Sequence, residues 1–387
     1  MNQPALGAAC RHEWMLDPEW LTVNHGSFGA TPREVLEAQH LWRQRMERQP
    51  SHFMRRILPG ALRDAAAALG GLIGAEGRDI AFLDNATTGC NAVLRSLALR
   101  QGDEVLLLSH VYRAVRNIAR HVTERSAARI VEAEVPFPGT TEQGVLDAIS
   151  AALSPRTRVA VIDHITSASA LVLPIARIVA LCHAAGVPVL VDGAHAPGQV
   201  PLDLTAIGAD WYTGNCHKWL SSPKGAAFLW ATPNRQAELH PVTISHGYSQ
   251  GFVEEFDWTG TRDPSAYLSV PAAVAFHRRL GGAELMARNN ALAAEATALL
   301  ARRLNTEIGA GGDLAAAMGL VRLPLSGEAS AERVTLLRGY LLDARCDAPL
   351  HLLSGAIWLR LSAFAYNEVS DYARLAELVA RMVRERG

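Results

Sequence analysis

Side-chain amines are rare in this chain of 387 residues. Of its 37 basic residues, 35 are arginine and two are lysine, and the two lysines, Lys218 and Lys224, lie within one short stretch. An enzyme that forms an imine needs an amine that can lose its proton, which a guanidinium with its very high pKa does not do at working pH. Imine chemistry in this chain therefore has two candidate residues.

An apolar run typical of a buried strand lies upstream of these lysines. It covers residues 187–192 and ends in Asp192, and His195 follows in the same loop. A carboxylate that faces the ring nitrogen of pyridoxal phosphate (PLP) keeps this nitrogen protonated, so that the ring acts as an electron sink. We predict this role for Asp192, a hydrogen bond from His195 to the phenolic oxygen, and imine formation and proton transfer by Lys218. Alternatively, Asp192 could simply end a strand and Lys218 could lie in solvent at the surface, with no cofactor bound by either.

The segment 84–91 could bind the phosphate group of such a cofactor. It places small and hydroxyl residues, including Thr87 and Thr88, before a predicted helix over residues 92–99. Free backbone N–H groups at the start of a helix bind anions. The N-cap of an ordinary helix would have a similar composition.

Other residues could contact the cofactor or the substrate. His110 and Tyr112 follow a predicted strand, where a ring could stack on the pyridine face. Arg360 is the one charged residue of an apolar strand-like run, and its forked guanidinium suits a substrate carboxylate. Thr261 lies in a polar turn from which it could reach a phosphate in a partner subunit. Alternatively, Tyr112 could be a rim residue that covers the edge of the sheet. Arg360 could instead form a salt bridge between the domains.

The composition excludes several other classes of protein. The formal net charge is −1, which gives no sign of nucleic acid or anionic membranes as partners. The five cysteines form no CxxC pair, so we expect reduced thiols and neither a metal site nor disulfide bonds. We find no secretory signal and no apolar run long enough to span a bilayer, and we predict a cytoplasmic protein.

Strand-like and helix-like segments alternate between residues 80 and 230, which predicts an α/β fold with a mostly parallel sheet flanked by helices. We expect a large domain over 20–265 and a smaller α+β domain over 1–19 and 266–387. A helix should begin near Thr31 and end before Pro50. The expected strands are 104–108, 129–135, 159–164, 187–191, 211–213 and 226–230, and the expected late helices are 284–304, 330–344 and 369–385. In such sheets ligands bind beyond the carboxyl ends of the strands, where His110, Thr166, Asp192 and Lys218 would lie.

Taken together, these motifs resemble those of fold type I PLP enzymes of the class V aminotransferase superfamily, within it the isopenicillin N epimerase-like and hercynylcysteine sulfoxide lyase-like branch. The resemblance extends over nearly the whole chain. It is carried by the segments 21–32, 85–89, 192–195, 217–219, 260–263 and 359–367.

The resemblance implies roles for further residues. Tyr112, rather than His110, would stack on the ring, and Asn215 and His217 would help to hold the phosphate. Thr261 would complete the phosphate site across the interface of a homodimer. Ser167 stands where relatives often have an asparagine near the phenolic oxygen. In the opening motif, Asn24 and His25 are expected to contact the substrate together with Arg360.

Members of this branch begin by removing the Cα proton of an amino acid, and we predict that Lys218 does so here. Our preferred reaction is carbon–sulfur β-elimination from a cysteine conjugate, because it needs one lysine. Epimerisation needs a proton donor on the opposite face, for which His25, His52 and Tyr112 are candidates. An aminotransferase, a cysteine desulfurase with Cys346 as its thiol, and a non-catalytic scaffold are the remaining alternatives. The sequence does not name the substrate.

Overall fold

A seven-stranded sheet forms the centre of the larger part of the molecule in the computed structural model, which describes residues 5–386. The strand order is β2-β8-β7-β6-β5-β3-β4, and β8 alone within this sheet runs antiparallel to its neighbours. The strands are β1 Leu21–Thr22, β2 Ile80–Leu83, β3 Glu104–Leu108, β4 Arg129–Ala133, β5 Thr157–Asp163, β6 Val189–Asp192, β7 Trp211–Asn215, β8 Ala227–Ala231, β9 Met318–Arg322, β10 Cys346–Asp347, β11 Leu350–Leu353 and β12 Ala356–Ser362.

Helices cover both faces of this sheet. Successive side chains of a strand point to opposite faces, and in β3 Leu106 and Leu108 enter one apolar core whereas Val105 and Leu107 enter another. The helices are α1 His25–Phe28, α2 Arg33–Arg48, α3 Pro50–His52, α4 Leu58–Ile73, α5 Ala86–Ser96, α6 Arg113–Ser126, α7 Glu142–Ala152, α8 Ile175–Ala184, α9 Leu204–Ile207, α10 Phe252–Asp257, α11 Ser265–Leu268, α12 Val270–Arg279, α13 Ala283–Leu304, α14 Ala331–Asp343 and α15 Val369–Arg386.

A second, smaller sheet lies in the C-terminal part of the chain. Its order is β11-β12-β9, both pairs are antiparallel, and α13, α14 and α15 pack with it around a separate apolar core. The short strand β1 pairs in parallel with β10, so the N-terminal segment is tied to this region. The predicted α/β fold with a smaller α+β unit is confirmed.

The boundaries of these units differ in detail from those expected. Val270 to Leu285 pack into the core of the large sheet, although the sequence favoured a change of domain near residue 265. Leu21 and Val23 pack into the smaller core instead. Apolar contacts, which composition does not reveal, decide to which unit these segments belong.

The start of α2 also differs from the expectation. Thr31 does not cap the helix, because its hydroxyl donates to the backbone oxygen of Ser222 at 3.1 Å. The helix ends before Pro50, as predicted, but Pro50 then begins a new helical turn, a position in which proline is favoured. Among residues 5–386 no helix is long and apolar enough to cross a membrane.

Candidate active site

A cavity of about 240 Å³ lies at the carboxyl ends of β5, β6 and β7. This edge is the usual ligand site of open parallel sheets. The residues that line it are Ser27, Phe28, Asn85, Ala86, Thr87, Tyr112, Asp163, Ile165, Ser167, Asp192, Ala194, His195, Asn215, His217 and Lys218. Most of the predicted cofactor residues are therefore brought together in one place.

Lys218 is the amine of this cavity. Its Nζ lies 3.1 Å from Nε2 of His195. The pKa of Lys218 is lowered to about 8, mainly by burial and also by the nearby Arg360, whereas Asp192 acts in the opposite direction. Lys224 points elsewhere, to the hydroxyl of Thr31 at 3.3 Å. Lys218 can thus lose its proton near neutral pH and attack an aldehyde.

His195 is a neutral hydrogen-bond donor toward the cavity. The indole N–H of Trp219 donates to its Nδ1 at 3.4 Å, which assigns the ring proton to Nε2. Burial, with Lys218 and Arg360 nearby, lowers the pKa of His195 well below its usual value. Sequence reasoning had not assigned this role to Trp219, although it directly follows Lys218.

Asp192 has one of its carboxylate oxygens fixed by the protein. Oδ1 accepts a hydrogen bond from the backbone N–H of Ala194 at 3.0 Å, and the residue is 4% exposed. Burial raises its pKa, while this hydrogen bond and Lys218 lower it. A cation placed against Asp192 would offset the cost of burying the charge, and a protonated pyridine ring is such a cation.

Asp163 is a second carboxyl group of the cavity, which sequence reasoning missed. It ends β5 as Asp192 ends β6, and the two residues are paired in register across the adjacent strands. Its Oδ2 is buried and has no hydrogen-bond partner within residues 5–386. Burial and the nearby Asp192 raise the pKa of Asp163 well above its usual value. The signal was available in the sequence, because Asp163 also follows an apolar run.

The start of α5 forms the part of the cavity suited to a phosphate. Asn85 caps the helix by accepting from the backbone N–H of Thr88 at 2.9 Å, and the Asn215 side chain accepts from Ala86 at 2.9 Å. Thr87 lines the cavity, whereas the Thr88 hydroxyl donates to Asn85. Of the two predicted threonines, the structure brings only Thr87 to the cavity wall.

His217 occupies the same end of the cavity. Its Nδ1 donates to the backbone oxygen of Ala226 at 2.9 Å, which leaves Nε2 without a proton in the neutral ring. Burial lowers its pKa to about 4, and the two lysines contribute to this lowering. A bound phosphate would favour the protonated ring, which could then donate to it.

Arg360 is a buried guanidinium that forms no ion pair with a carboxylate among residues 5–386. It is 2% exposed, and it donates to the backbone oxygen of Ser167 at 2.6 Å and to the hydroxyl of Ser27 at 2.9 Å. Its Nε has no hydrogen-bond partner, and burial lowers its pKa to about 10. Because Ser27 and Ser167 line the cavity, Arg360 lies directly behind its wall. Asn24 also bonds to Arg360, at 3.2 Å, and supports its position.

His25 lies outside the wall of the cavity, where it holds the segment that carries Lys218. Its Nε2 donates to the backbone oxygen of Lys218 at 3.1 Å, and its Nδ1 lies 3.0 Å from the hydroxyl of Tyr366. The ring stacks on Phe364 at 3.6 Å, and burial lowers its pKa to about 3. The structure thus differs from the expected substrate contact, because both ring nitrogens of His25 already have protein partners.

Two other predicted residues lie away from this cavity. Thr261 lines a separate surface concavity with Arg55 and Arg56. Cys346 is fully buried in β10, and burial raises its pKa to about 12. A desulfurase needs an exposed, mobile thiolate, so the structure does not support Cys346 in that role.

Comparison with known proteins identifies the family. Residues 30–346 match the family described as aminotransferase class-V. This chain belongs to that family. The prediction from the sequence motifs is confirmed, and with it PLP as the cofactor and a lyase or epimerase as the class of enzyme.

Relatives with both activities are found among known proteins. A probable chloroplastic L-cysteine desulfhydrase of Arabidopsis thaliana is 34% identical over 95% of this chain and 84% of its own length. The isopenicillin N epimerase of Streptomyces clavuligerus is 31% identical over 97% of this chain and 98% of its own. These values place the chain among class-V enzymes along nearly its whole length.

Solved structures show the same fold. A mutant of C-DES with glycine covalently linked to its PLP cofactor aligns with a TM-score of 0.80 at 23% identity, over 96% of this chain and 98% of that one. An apo cysteine desulfurase of Thermococcus onnurineus aligns with a TM-score of 0.83 at 14% identity, over the full length of both.

The residues of the cavity fit PLP. An amine with a lowered pKa, a buried aspartate and a helix start lie around one cavity. PLP bound there supplies an electron sink that stabilises a carbanion at the substrate Cα.

Proposed function

We propose that this enzyme catalyses carbon–sulfur β-elimination from L-cysteine or a small S-substituted cysteine. The observation that carries the proposal is that Lys218 is the one amine in the wall of the cavity and has a pKa near 8. The unprotonated Nζ takes the Cα proton of the substrate. The Cβ–S bond then breaks, and the sulfur leaves with the electron pair and takes up a proton, as hydrogen sulfide from L-cysteine or as a thiol from an S-substituted cysteine. The released enamine hydrolyses to pyruvate and ammonia.

The substrate carboxylate would bind at Arg360. This guanidinium is buried and forms no ion pair among residues 5–386, and a buried charge is stabilised when it is paired. A small amino acid with one carboxylate satisfies it. The ion pair between Arg360 and the substrate carboxylate would orient the Cα–H bond of the substrate toward Lys218.

The size of the cavity favours a compact substrate. Its volume of about 240 Å³ lies below the roughly 300–1,000 Å³ typical of ligand sites, and the cofactor takes much of it. A desulfhydrase among the relatives is consistent with a substrate of the size of cysteine.

The test is an assay of products. The enzyme is incubated in deuterated water with L-cysteine and a panel of S-substituted cysteines and their sulfoxides. Pyruvate is measured together with the released sulfur product, which is sulfide from L-cysteine, a thiol from the S-substituted cysteines and a sulfenic acid from the sulfoxides. We expect equal amounts of both. Incorporation of deuterium at Cα with inversion, without pyruvate, would overturn the lyase proposal in favour of an epimerase.

Epimerisation is the second candidate, because one of the three predicted proton donors lines the cavity. Tyr112 is 45% exposed and forms part of the wall, while His25 is held by protein partners and His52 lies outside the wall. Replacement Tyr112→Phe removes the phenolic proton and keeps the ring. An epimerase would lose D/L interconversion, whereas a lyase would keep its pyruvate production within a few-fold.

We also propose a homodimer in which Thr261 completes the phosphate site of the partner subunit. Thr261 lies with Arg55 and Arg56 on an open concave surface, away from the cavity of its own chain. A mixture of Thr261→Ala and Lys218→Ala chains tests this arrangement. If the threonine acts across an interface, hybrid dimers contain one site with both defects and one intact site, and activity returns on mixing.

The cytoplasmic location expected from the sequence stays part of this proposal. All five cysteines are free and buried, which is consistent with a reducing compartment. Fractionation of the cells that produce the protein would test it.

A further inference from the structure

Two carboxyl groups meet at the edge of the sheet below the cavity, and only one of them has a role in the chemistry described so far. Asp163 and Asp192 end adjacent parallel strands in register, so their Cα atoms are about 5 Å apart and their side chains point to the same face. Both residues are buried, at 3% and 4% exposure, and both line the cavity.

The surroundings of Asp163 do not support a negative charge. Oδ2 is buried without a hydrogen-bond donor, and among the ion pairs of residues 5–386 none includes Asp163. The groups that face it are Asp192 on β6, the thiol of Cys90 on α5 and the backbone N–H of Tyr112. Burial raises the pKa of Cys90 well above its usual value, so this thiol is neutral. Lys218 lies on the side of Asp192, where it favours ionisation of that residue instead.

We propose that Asp163 is a positioning residue: it stays a neutral carboxylic acid, shares its proton with Asp192, and holds the ionised oxygen of Asp192 toward the ring nitrogen of the cofactor. A buried carboxyl oxygen that lacks a donor is stable when it carries a proton itself. Two adjacent buried carboxyl groups on the same face of a sheet do not both ionise readily, so one of them keeps its proton. With Asp163 neutral, one carboxylate faces one pyridinium and the charges balance.

This inference rests on PLP as the cofactor and on Asp192 as its partner, not on which reaction follows. The test therefore reads the visible absorption band of the Lys218–cofactor adduct and the dissociation constant of PLP, rather than turnover. Asp163→Asn keeps the shape and the neutral donor. Asp163→Leu removes the donor. Asp147→Asn, an exposed change on α7, is the matched control.

We expect Asp163→Asn to keep the apparent pKa of the band within about 0.3 unit of the wild type and PLP affinity within about threefold. Asp163→Leu should weaken PLP binding about tenfold, as expected for the loss of one buried hydrogen bond. The control should change neither quantity.

Two results would overturn the proposal. A fall of one unit or more in the apparent pKa of the band in Asp163→Asn would show that the wild-type residue is ionised. Wild-type PLP affinity in a folded Asp163→Leu protein would show that the proton of Asp163 does not contribute to cofactor binding. If Asp163→Leu does not fold, the Asn variant decides alone. A wild-type protein without any band would instead contradict the cofactor site itself.

Discussion

Buried carboxyl groups at the two edges of the central sheet, where the strands begin and where they end, have opposite electrostatic surroundings. At the amino end of β3, Glu104 has a side chain that is 1% exposed, and Arg129 and Arg156 donate to it. At the carboxyl ends, Asp163 and Asp192 are similarly buried but form no ion pair with any arginine of residues 5–386. Burial alone would raise the pKa of Glu104, but hydrogen bonds from Ser154 and the two arginines lower it to about 2.

The comparison shows that burial does not decide the charge of a carboxyl group by itself. At the amino edge the protein supplies the cations, and the result is a fixed, stabilising cluster. At the carboxyl edge it leaves one negative site without a partner, and the pyridinium of the cofactor provides the missing cation. One edge therefore stabilises the fold, and the other binds the ligand.

The largest effect is expected at the amine of the carboxyl edge. Lys218→Met should abolish the borohydride-reducible adduct and lower pyruvate production by at least about 10³-fold, because the imine-forming group and the base are lost together. Absorbance before and after borohydride, with a product assay, measures both. Lys224→Met is the control and should behave as the wild type, since Lys224 lies outside the cavity. A reducible adduct that persists in Lys218→Met would identify Lys224 as the anchor.

Asp192→Asn, at the same edge, should lower the activity without lowering the stability of the apoenzyme. We expect activity to fall about 10²-fold, because the ring nitrogen loses the group that keeps it protonated. The apoenzyme should unfold at the same temperature or a higher one, since one of two adjacent buried carboxyl groups is gone. Steady-state kinetics and thermal unfolding of the apoenzyme give the two values. A clear loss of apoenzyme stability would contradict the contrast between the edges.

Glu104→Gln should show the reverse behaviour at the amino edge. We expect a loss of about 2 kcal/mol in the free energy of unfolding at pH 7, less than the full pKa shift implies, because Arg129 and Arg156 are more than half exposed. The pKa is lower in the folded state, so this contribution is complete above about pH 4.5 and is lost as the pH falls toward 2. Urea unfolding should show the same difference from the wild type at pH 7 and pH 5, and a smaller one at pH 3. Activity per folded molecule should not change.

The smallest effect is expected behind the cavity wall. Arg360→Lys keeps the charge but cannot donate as a fork to both Ser167 and Ser27, so KM for cysteine should rise about tenfold. The PLP band should not change. Steady-state kinetics measure KM, and Arg345→Lys, at an exposed arginine, is the control. An unchanged KM would place the carboxylate elsewhere.

Much of the fold and of the site could be predicted because the signals are local. Apolar runs predicted six of the seven strands of the central sheet, whereas β2, a run of four buried residues, was missed. Lys218, Asp192 and His195 were predicted from their types and spacing, and Asn215 from the family resemblance. All four meet at one cavity.

Other roles could not be assigned, because they depend on contacts between distant segments. His25 was expected at the substrate, but it is turned to Lys218 and Tyr366. Cys346 had a suggestive position in sequence, but the core of the smaller unit buries it. Asp163 was visible as a strand end, but its pairing with Asp192 follows from the order of the strands.

The sequence by itself determined the chemistry that this protein can perform. A chain with two lysines, one of them after a strand that ends in aspartate, has few residues that can form an imine, and residue types alone fix which groups can titrate or donate. The tertiary structure decided which of these groups face each other without a compensating charge. It placed Asp163 beside Asp192 and Arg360 behind the wall, because strand order and burial set the dielectric and the neighbours on which every pKa depends.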